Sequence, residues 1–181
     1  GVSMPKERIL PYVILGIVKQ HPMITGQQIA QQFTNEIGEF WKSSHSQIYP
    51  ELKRMVSDRW LAQSISEDNL KEKNYHLTNE GESVLLTWLQ EPVQEPPVQR
   101  DLFSLKMFFI QDEDDERILT LLVEERQLLE EQLIHLEMRR KQLFDDSSRI
   151  QKSFGHYLIL SRAITRVQGQ LDWILEMIEE R

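Results

Sequence analysis

Phe40-Trp41-Lys42-Ser43-Ser44-His45-Ser46-Gln47-Ile48-Tyr49-Pro50-Glu51-Leu52-Lys53-Arg54-Met55 combines a helix start, exposed hydrogen-bonding side chains and a basic end. Ser44 and Gln47 have the spacing of a capping box, in which the Ser hydroxyl takes an orphan amide and the Gln reaches back to the cap. A helix is therefore expected from about His45. Ile48, Leu52, Met55 and Val56 fall at helical spacing and predict a core-facing stripe, with Ser46, Gln47, Tyr49, Lys53 and Arg54 toward solvent. Pro50 would lie about six residues inside that helix, where a missing amide donor predicts a kink costing roughly 3 kcal/mol. Taken alone, the segment also suits an ordinary amphipathic surface helix. Its neighbours favour a DNA-reading one.

Upstream, Leu10–Val18 is an apolar run long enough for one buried helix. Thr25 and Gln28 form a second capping box, opening a short helix through Ile29, Ala30 and Phe33. Downstream, 61–66 and 73–77 alternate apolar and polar residues around a polar turn, which predicts a β-hairpin. Asn79 followed by Glu82 is expected to cap a further helix carrying Val84, Leu85, Trp88 and Leu89. Helix, helix, helix, hairpin, helix is the order of a winged helix-turn-helix, whose third helix enters the major groove. Lys71 and Lys73 are placed to meet phosphate from the wing. The expected fold class is mainly α with a small β-hairpin wing.

Residues 9–89 resemble the DNA-binding domain of the PadR family of bacterial transcriptional regulators. The likeness is carried by Ser46-Gln-Ile-Tyr-Pro-Glu-Leu-Lys-Arg54 and Tyr75-His-Leu-Thr-Asn-Glu-Gly81. Further on, Asp101-Leu-Phe-Ser-Leu-Lys-Met-Phe-Phe109 and Phe154-Gly-His-Tyr-Leu158 resemble the family's long-tailed, phenolic-acid-responsive branch. Trp60 departs from the pattern, because the family usually has glycine after this helix, where a left-handed residue ends it. The resemblance implies a repressor acting on the operator of a phenolic acid decarboxylase gene. It also implies a hydroxycinnamic acid inducer, such as p-coumaric or ferulic acid.

The 181 residues carry 21 Lys+Arg against 29 Asp+Glu, a formal net charge of −8. That sits poorly with DNA binding, which depends on basic side chains displacing counterions from phosphate. The acid is unevenly spread, however. Residues 1–90 hold nine Lys+Arg and ten Asp+Glu, leaving twelve and nineteen for 91–181. DNA affinity is then expected to depend on a few placed cations and on dimerisation. The sequence has no cysteine, so disulfides and thiol chemistry are excluded. No stretch approaches the roughly 20 apolar residues of a membrane span, and no signal peptide is read, which together predict a cytoplasmic protein, and the resemblance implies a bacterial one. Gly1-Val2-Ser3 before Met4 reads as a tag remnant.

Three prolines between Gln90 and Gln99 predict a stiff, extended linker. The expected organisation is a DNA-binding domain at 4–90, a linker at 91–100 and a helical dimerisation domain at 101–181. Within the last, 102–110 is an apolar helical stretch and Asp112–Glu116 an acidic start to a long helix. Leu122, Leu129, Leu136 and Leu143 recur every seven residues. Glu125, Gln132 and Arg139 occupy the positions that would complete a zipper seam, so packing against the same chain is expected. The final helix sets Tyr157, Leu160, Ile164, Val167, Leu171, Ile174 and Ile178 at alternating spacings of three and four. That seam is assigned to a homodimer interface.

No His-Glu-x-x-His, phosphate-cradling glycine loop or Gly-x-Ser-x-Gly is present, the five histidines are scattered, and neither enzyme activity, cofactor nor metal is expected. Gln47, Tyr49 and His45 are assigned to reading bases of a pseudo-palindromic double-stranded operator. Ser44, Ser46, Lys53, Lys71 and Lys73 are assigned mainly to phosphate. An aromatic, carboxylated inducer calls for an apolar pocket with a few polar anchors. Tyr12, Phe40, Trp41, Phe109, His156, Tyr157 and Arg162 supply those types, though each also suits core packing. Two other readings stand beside this one: a PadR-type regulator answering multidrug or other ligands, and a winged-helix adaptor that binds protein rather than DNA.

Overall fold

The computed structural model describes residues 8–41, 45–65, 68 and 71–181. The chain divides into two compact units, Gly1–Pro96 and Pro97–Arg181. Residues 91–100 lie in a stretch of exposed chain without regular structure.

The first unit begins with α1 (Leu10–Gln20), where Pro11 sits in the first turn and cannot lose a bond that no helix makes there. Ile14, Leu15, Ile17 and Val18 from α1 fill the centre of the core. β1 (Ile24–Thr25) leads into α2 (Gly26–Thr34), and the expected capping box is present, with Thr25 Oγ1 accepting from the Gln28 amide at 3.1 Å and Gln28 Oε1 accepting from the Thr25 amide at 3.0 Å. Ile29 and Phe33 of α2 meet Ile48, Leu52 and Met55 of α3 (Ile48–Ser57) in the same core. β2 (Leu61–Ile65) and β3 (Lys73–Leu77) form the expected antiparallel hairpin, with Gln63 opposite Tyr75. β1 adds a short third strand on the other side of β3, pairing Ile24 with Tyr75. Two residues give too little alternation to be read from sequence. α4 (Asn79–Gln90) closes the unit and buries Leu85.

Three local expectations are corrected. The α3 ladder starts at Ile48 after one 3-10 turn at His45–Gln47, and Gln47 holds the cap position without a side-chain cap bond. Ser44, the expected cap, lies outside the described residues. Pro50 consequently falls in the first turn of α3, where amides have no intrahelical acceptor, and the reason to expect a kink disappears. Finally, α4 is capped one residue earlier than Asn79, by Thr78, whose hydroxyl accepts from the Gly81 amide at 3.0 Å.

In the second unit α5 (Leu102–Phe108) is capped by Asp101, which accepts from the Ser104 amide at 3.1 Å. The acidic run 112–116 precedes α6 (Arg117–Leu143) instead of forming its first turn. Within that run Asp115 accepts the Arg117 side chain and amide, which holds its carboxyl down at about 2. After α7 (Ser147–Lys152), α8 (Phe154–Glu179) runs back along α6. Leu122 and Leu129 of α6 pack with Val167, Leu171 and Ile174 of α8, and Leu136 packs at the edge of the same cluster, so these three of the heptad leucines pack against their own chain. Among the described residues no helix is long and apolar enough to cross a membrane.

Candidate nucleic-acid interface

The solvent face of α3 and the wing meet at an open groove of about 660 Å³. Tyr49 and Lys53, one turn apart on α3, line one side, and Lys71 and Lys73 of the wing line the other. Tyr75 of β3 also lines the groove and is buried. Gln27, in the first turn of α2, also reaches this groove, a member that sequence reasoning missed because only the cap pattern of α2 was informative. Ser46 and Gln47 are exposed on the turn that leads into α3. The side chain of His45, like residue Ser44, falls outside what is described.

Electrostatically the groove sets three lysines against one carboxylate, Glu72. That is the local positive charge which the whole-chain balance conceals, in a concave place where charge acts most strongly on an approaching anion. Burial pushes the Tyr75 phenol up, and the neighbouring Tyr49 adds to the shift. Tyr75 thus stays a neutral donor or acceptor. Replacing Lys71 and Lys73 with Ala should lower the slope of log affinity against log salt by up to about 2, close to one unit per lost phosphate contact. An unchanged slope, read from binding isotherms at several salt concentrations, would show that the wing does not touch the backbone.

The inward face of α3 holds a group that sequence analysis did not single out. Glu51 is 2% exposed, a burial that a carboxylate tolerates only when paired. Arg54 approaches it at 3.3 Å and Arg8, just before α1, forms a second ion pair. The i, i+3 spacing of Glu51 and Arg54 was visible in sequence, but nothing there placed Arg8 opposite.

The residues assigned to an effector fall in both units. In the first, Tyr12 is half-buried and stacks on Trp88 with ring centroids 5.1 Å apart, while Phe40 and Trp41 are exposed. Tyr12 is therefore taken up by packing. In the second, His156 and Tyr157 both set their rings edge-on against buried Phe144, at 5.4 and 5.6 Å. Phe154 stacks on Tyr157 at 6.1 Å. Phe109 pairs with Phe108, and Arg162 is exposed. Sequence reasoning found His156 and Tyr157 but not Phe144, which follows α6 with no periodic partner.

The seam assigned to the dimer interface requires correction. Leu160, Val167, Leu171 and Ile174 are at most 5% exposed within a single chain, and Val167, Leu171 and Ile174 form one core with α6. Ile178 packs at its edge, while Tyr157 and Ile164 are half-buried. A helix repeat of three and four specifies a partner helix without saying whose, and here the partner is in the same chain. The apolar side chains left exposed on α8 include Leu158, Ile159, Trp173 and Leu175.

A negative transcriptional regulator from Bacillus subtilis, PadR, is 32% identical to this chain across 96% of it and 99% of its own length. The chain belongs to the PadR family. Residues 14–86 match the Transcriptional regulator PadR-like family and residues 99–180 match the family described as Virulence activator alpha C-term. The structure of Bacillus subtilis PadR in complex with operator DNA is similar over 96% of this chain and 99% of that one, with 30% identity and a TM-score of 0.84. The complex of the same protein with p-coumaric acid gives 29% identity, 96% and 98% coverage and a TM-score of 0.82. The Vibrio cholerae virulence activator AphA, 27% identical, covers 94% of this chain and 96% of its own with a TM-score of 0.70. The protein is thus a transcriptional regulator of PadR type with a winged helix-turn-helix fold.

Its departure from the PadR pattern at Trp60 has a structural resolution. The left-handed residue after α3 is Arg59, with φ of 62°. The Arg59 amide donates to Val56 O at 3.1 Å and the Trp60 amide to Met55 O at 2.9 Å, the paired bonds of a Schellman ending. Trp60 needs no positive φ, so a side chain is allowed there, and its ring lies 6.4 Å from that of Tyr12.

Proposed function

We propose that this regulator is a homodimeric repressor, acting in the bacterial cytoplasm on a pseudo-palindromic operator and released from it by a hydroxycinnamic acid such as p-coumaric or ferulic acid. The observation that carries the DNA reading is the single groove shared by Tyr49 and Lys53 of α3 with Lys71 and Lys73 of the wing. In use, Ser46, Gln47, Tyr49 and His45 would approach base edges and phosphate at the start of α3, while the lysines hold the backbone on either side. Two copies would place their reading helices about 34 Å apart, or a multiple of that distance. Dimerisation is assigned to apolar surface of the second unit that its own core leaves exposed, including Ile159 and Trp173, which lie two heptads apart on α8.

Support for the effector comes from the relative crystallised with p-coumaric acid, alike over nearly its whole length. Phe144, His156 and Tyr157 offer aromatic walls and one polar anchor of the kind such a ligand uses. The target we infer, from the resemblance carried by the sequence motifs, is the operator of a phenolic acid decarboxylase gene. An inducer acts only through its different affinity for the two states of the protein, and operator DNA must weaken inducer binding by the same factor. A mobility shift on that promoter, with and without saturating p-coumarate, tests the reading. The retarded band should vanish on addition of the acid, and persistence of the band at saturation would assign the regulator another effector.

A further inference from the structure

Gly26 opens α2 in ordinary helical geometry, and none of the described glycines has a positive φ. The backbone therefore gives no reason for glycine here. The position even works against it, since glycine in a helix is less favourable than alanine. The reason lies on the neighbouring helix α3. A Cβ built on Gly26 would stand 2.9 Å from Cε1 of Tyr49, closer than carbon atoms approach, whereas its next contacts, Leu52 Cδ1 and Tyr49 Cδ1, are ordinary at 3.7 Å.

We propose that Gly26 is a positioning residue for operator specificity: its missing side chain is the socket in which the Tyr49 ring lies, fixing the direction in which α3 presents that hydroxyl. The proposal rests on the reading of Tyr49 as a base contact made above. Tyr49 is 57% exposed, so the ring is anchored along one edge and open to solvent along the other, toward which it can swing. Gly26 itself is held, being buried and lying one residue after Thr25, whose strand pairs with β3 through Asn74. The neighbouring pair in that ladder, Ile24 and Tyr75, fixes the other ring of the groove from the same strand. One short strand thus sets both tyrosines relative to the wing. A methyl at residue 26 would turn Tyr49 out of its place at little cost to the core, because the clash is with the edge of a mobile ring and not with backbone.

The test is a cycle of Gly26→Ala, Tyr49→Ala and the double variant in the full-length protein, with affinity for operator and for random duplex measured alongside thermal stability. Gly26→Ala should reduce the preference for operator over random DNA about tenfold, as expected for one misdirected contact, without lowering the melting temperature. In the Tyr49→Ala background the same change should have no further effect on that preference. An undiminished preference in Gly26→Ala, when Tyr49→Ala alone diminishes it, overturns the positioning role and leaves the reading of Tyr49 intact. If neither variant alters the preference, both the role and that reading fall. A loss that persists in the double variant, or one that comes with a lowered melting temperature, also overturns the proposal, because it would place Gly26 in the fold and not in the aim of Tyr49.

Discussion

Gly81→Ala should cost the first unit about 3 kcal/mol or more, and lower the melting of that unit by roughly 12 °C or more, at about 4 to 8 °C per kcal/mol for a domain of this size. The added methyl would stand 2.9 Å from the carbonyl carbon of Trp60 and nearer still to its oxygen. Both are backbone atoms and neither can turn aside. Trp60 O is already engaged, accepting from the Thr78 amide at 3.2 Å and the Thr78 hydroxyl at 3.1 Å, while the same hydroxyl caps α4 through the Gly81 amide. The methyl would therefore push apart the end of α3, the start of the wing and the start of α4 together. Hydrogen exchange should show the loss as faster exchange of amides in α3 and α4. A Gly81→Ala protein that melts like wild type would mean that α4 can shift along its axis without cost.

Gly81 also marks how far the sequence could be read. The motif holding it was legible as a motif, and the helix starts around it were legible from cap patterns, because capping is settled by three or four adjacent residues. Thr25 and Gln28 form their box as spaced. At α4 the pattern pointed to Asn79, because Glu82 stands three residues on, but the cap is Thr78, whose hydroxyl also reaches Arg59 O and Trp60 O, 19 and 18 residues away in the chain. The same limit explains Pro50. Its effect depends on where the ladder begins, and a single 3-10 turn before Ile48 moves proline from the helix interior to the first turn. Of the interface, Tyr49, Lys53, Lys71 and Lys73 were found from exposure and charge, and they do share a groove. Glu51 and Gly26 were missed because each takes its meaning from a residue at a distance, Glu51 from Arg8 and Gly26 from Tyr49. Periodicity reports that a residue faces something. It does not report what.

That distinction decides what Leu171→Glu will do. Read as part of a dimer seam, the substitution would separate two folded subunits. Leu171 is instead 4% exposed in one chain, packed among Leu122, Leu129, Val167 and Ile174. A carboxylate there loses its water without gaining a partner, and the cavity and desolvation terms together should cost about 5 kcal/mol. The expected result is loss of helical signal from the second unit with aggregation, rather than a clean monomer. Ile159→Glu is the contrasting change. Ile159 is 40% exposed, so a charge there stays hydrated in a single chain and is buried only if a partner covers it. That variant should keep its helical spectrum, sediment at half the wild-type mass, and bind a full operator little better than a half-site. A Leu171→Glu protein that is folded and monomeric would return the seam to the dimer interface. An Ile159→Glu protein that remains dimeric would move the interface to another of the exposed apolar surfaces, such as that of Leu102, Leu105 and Phe108 on α5.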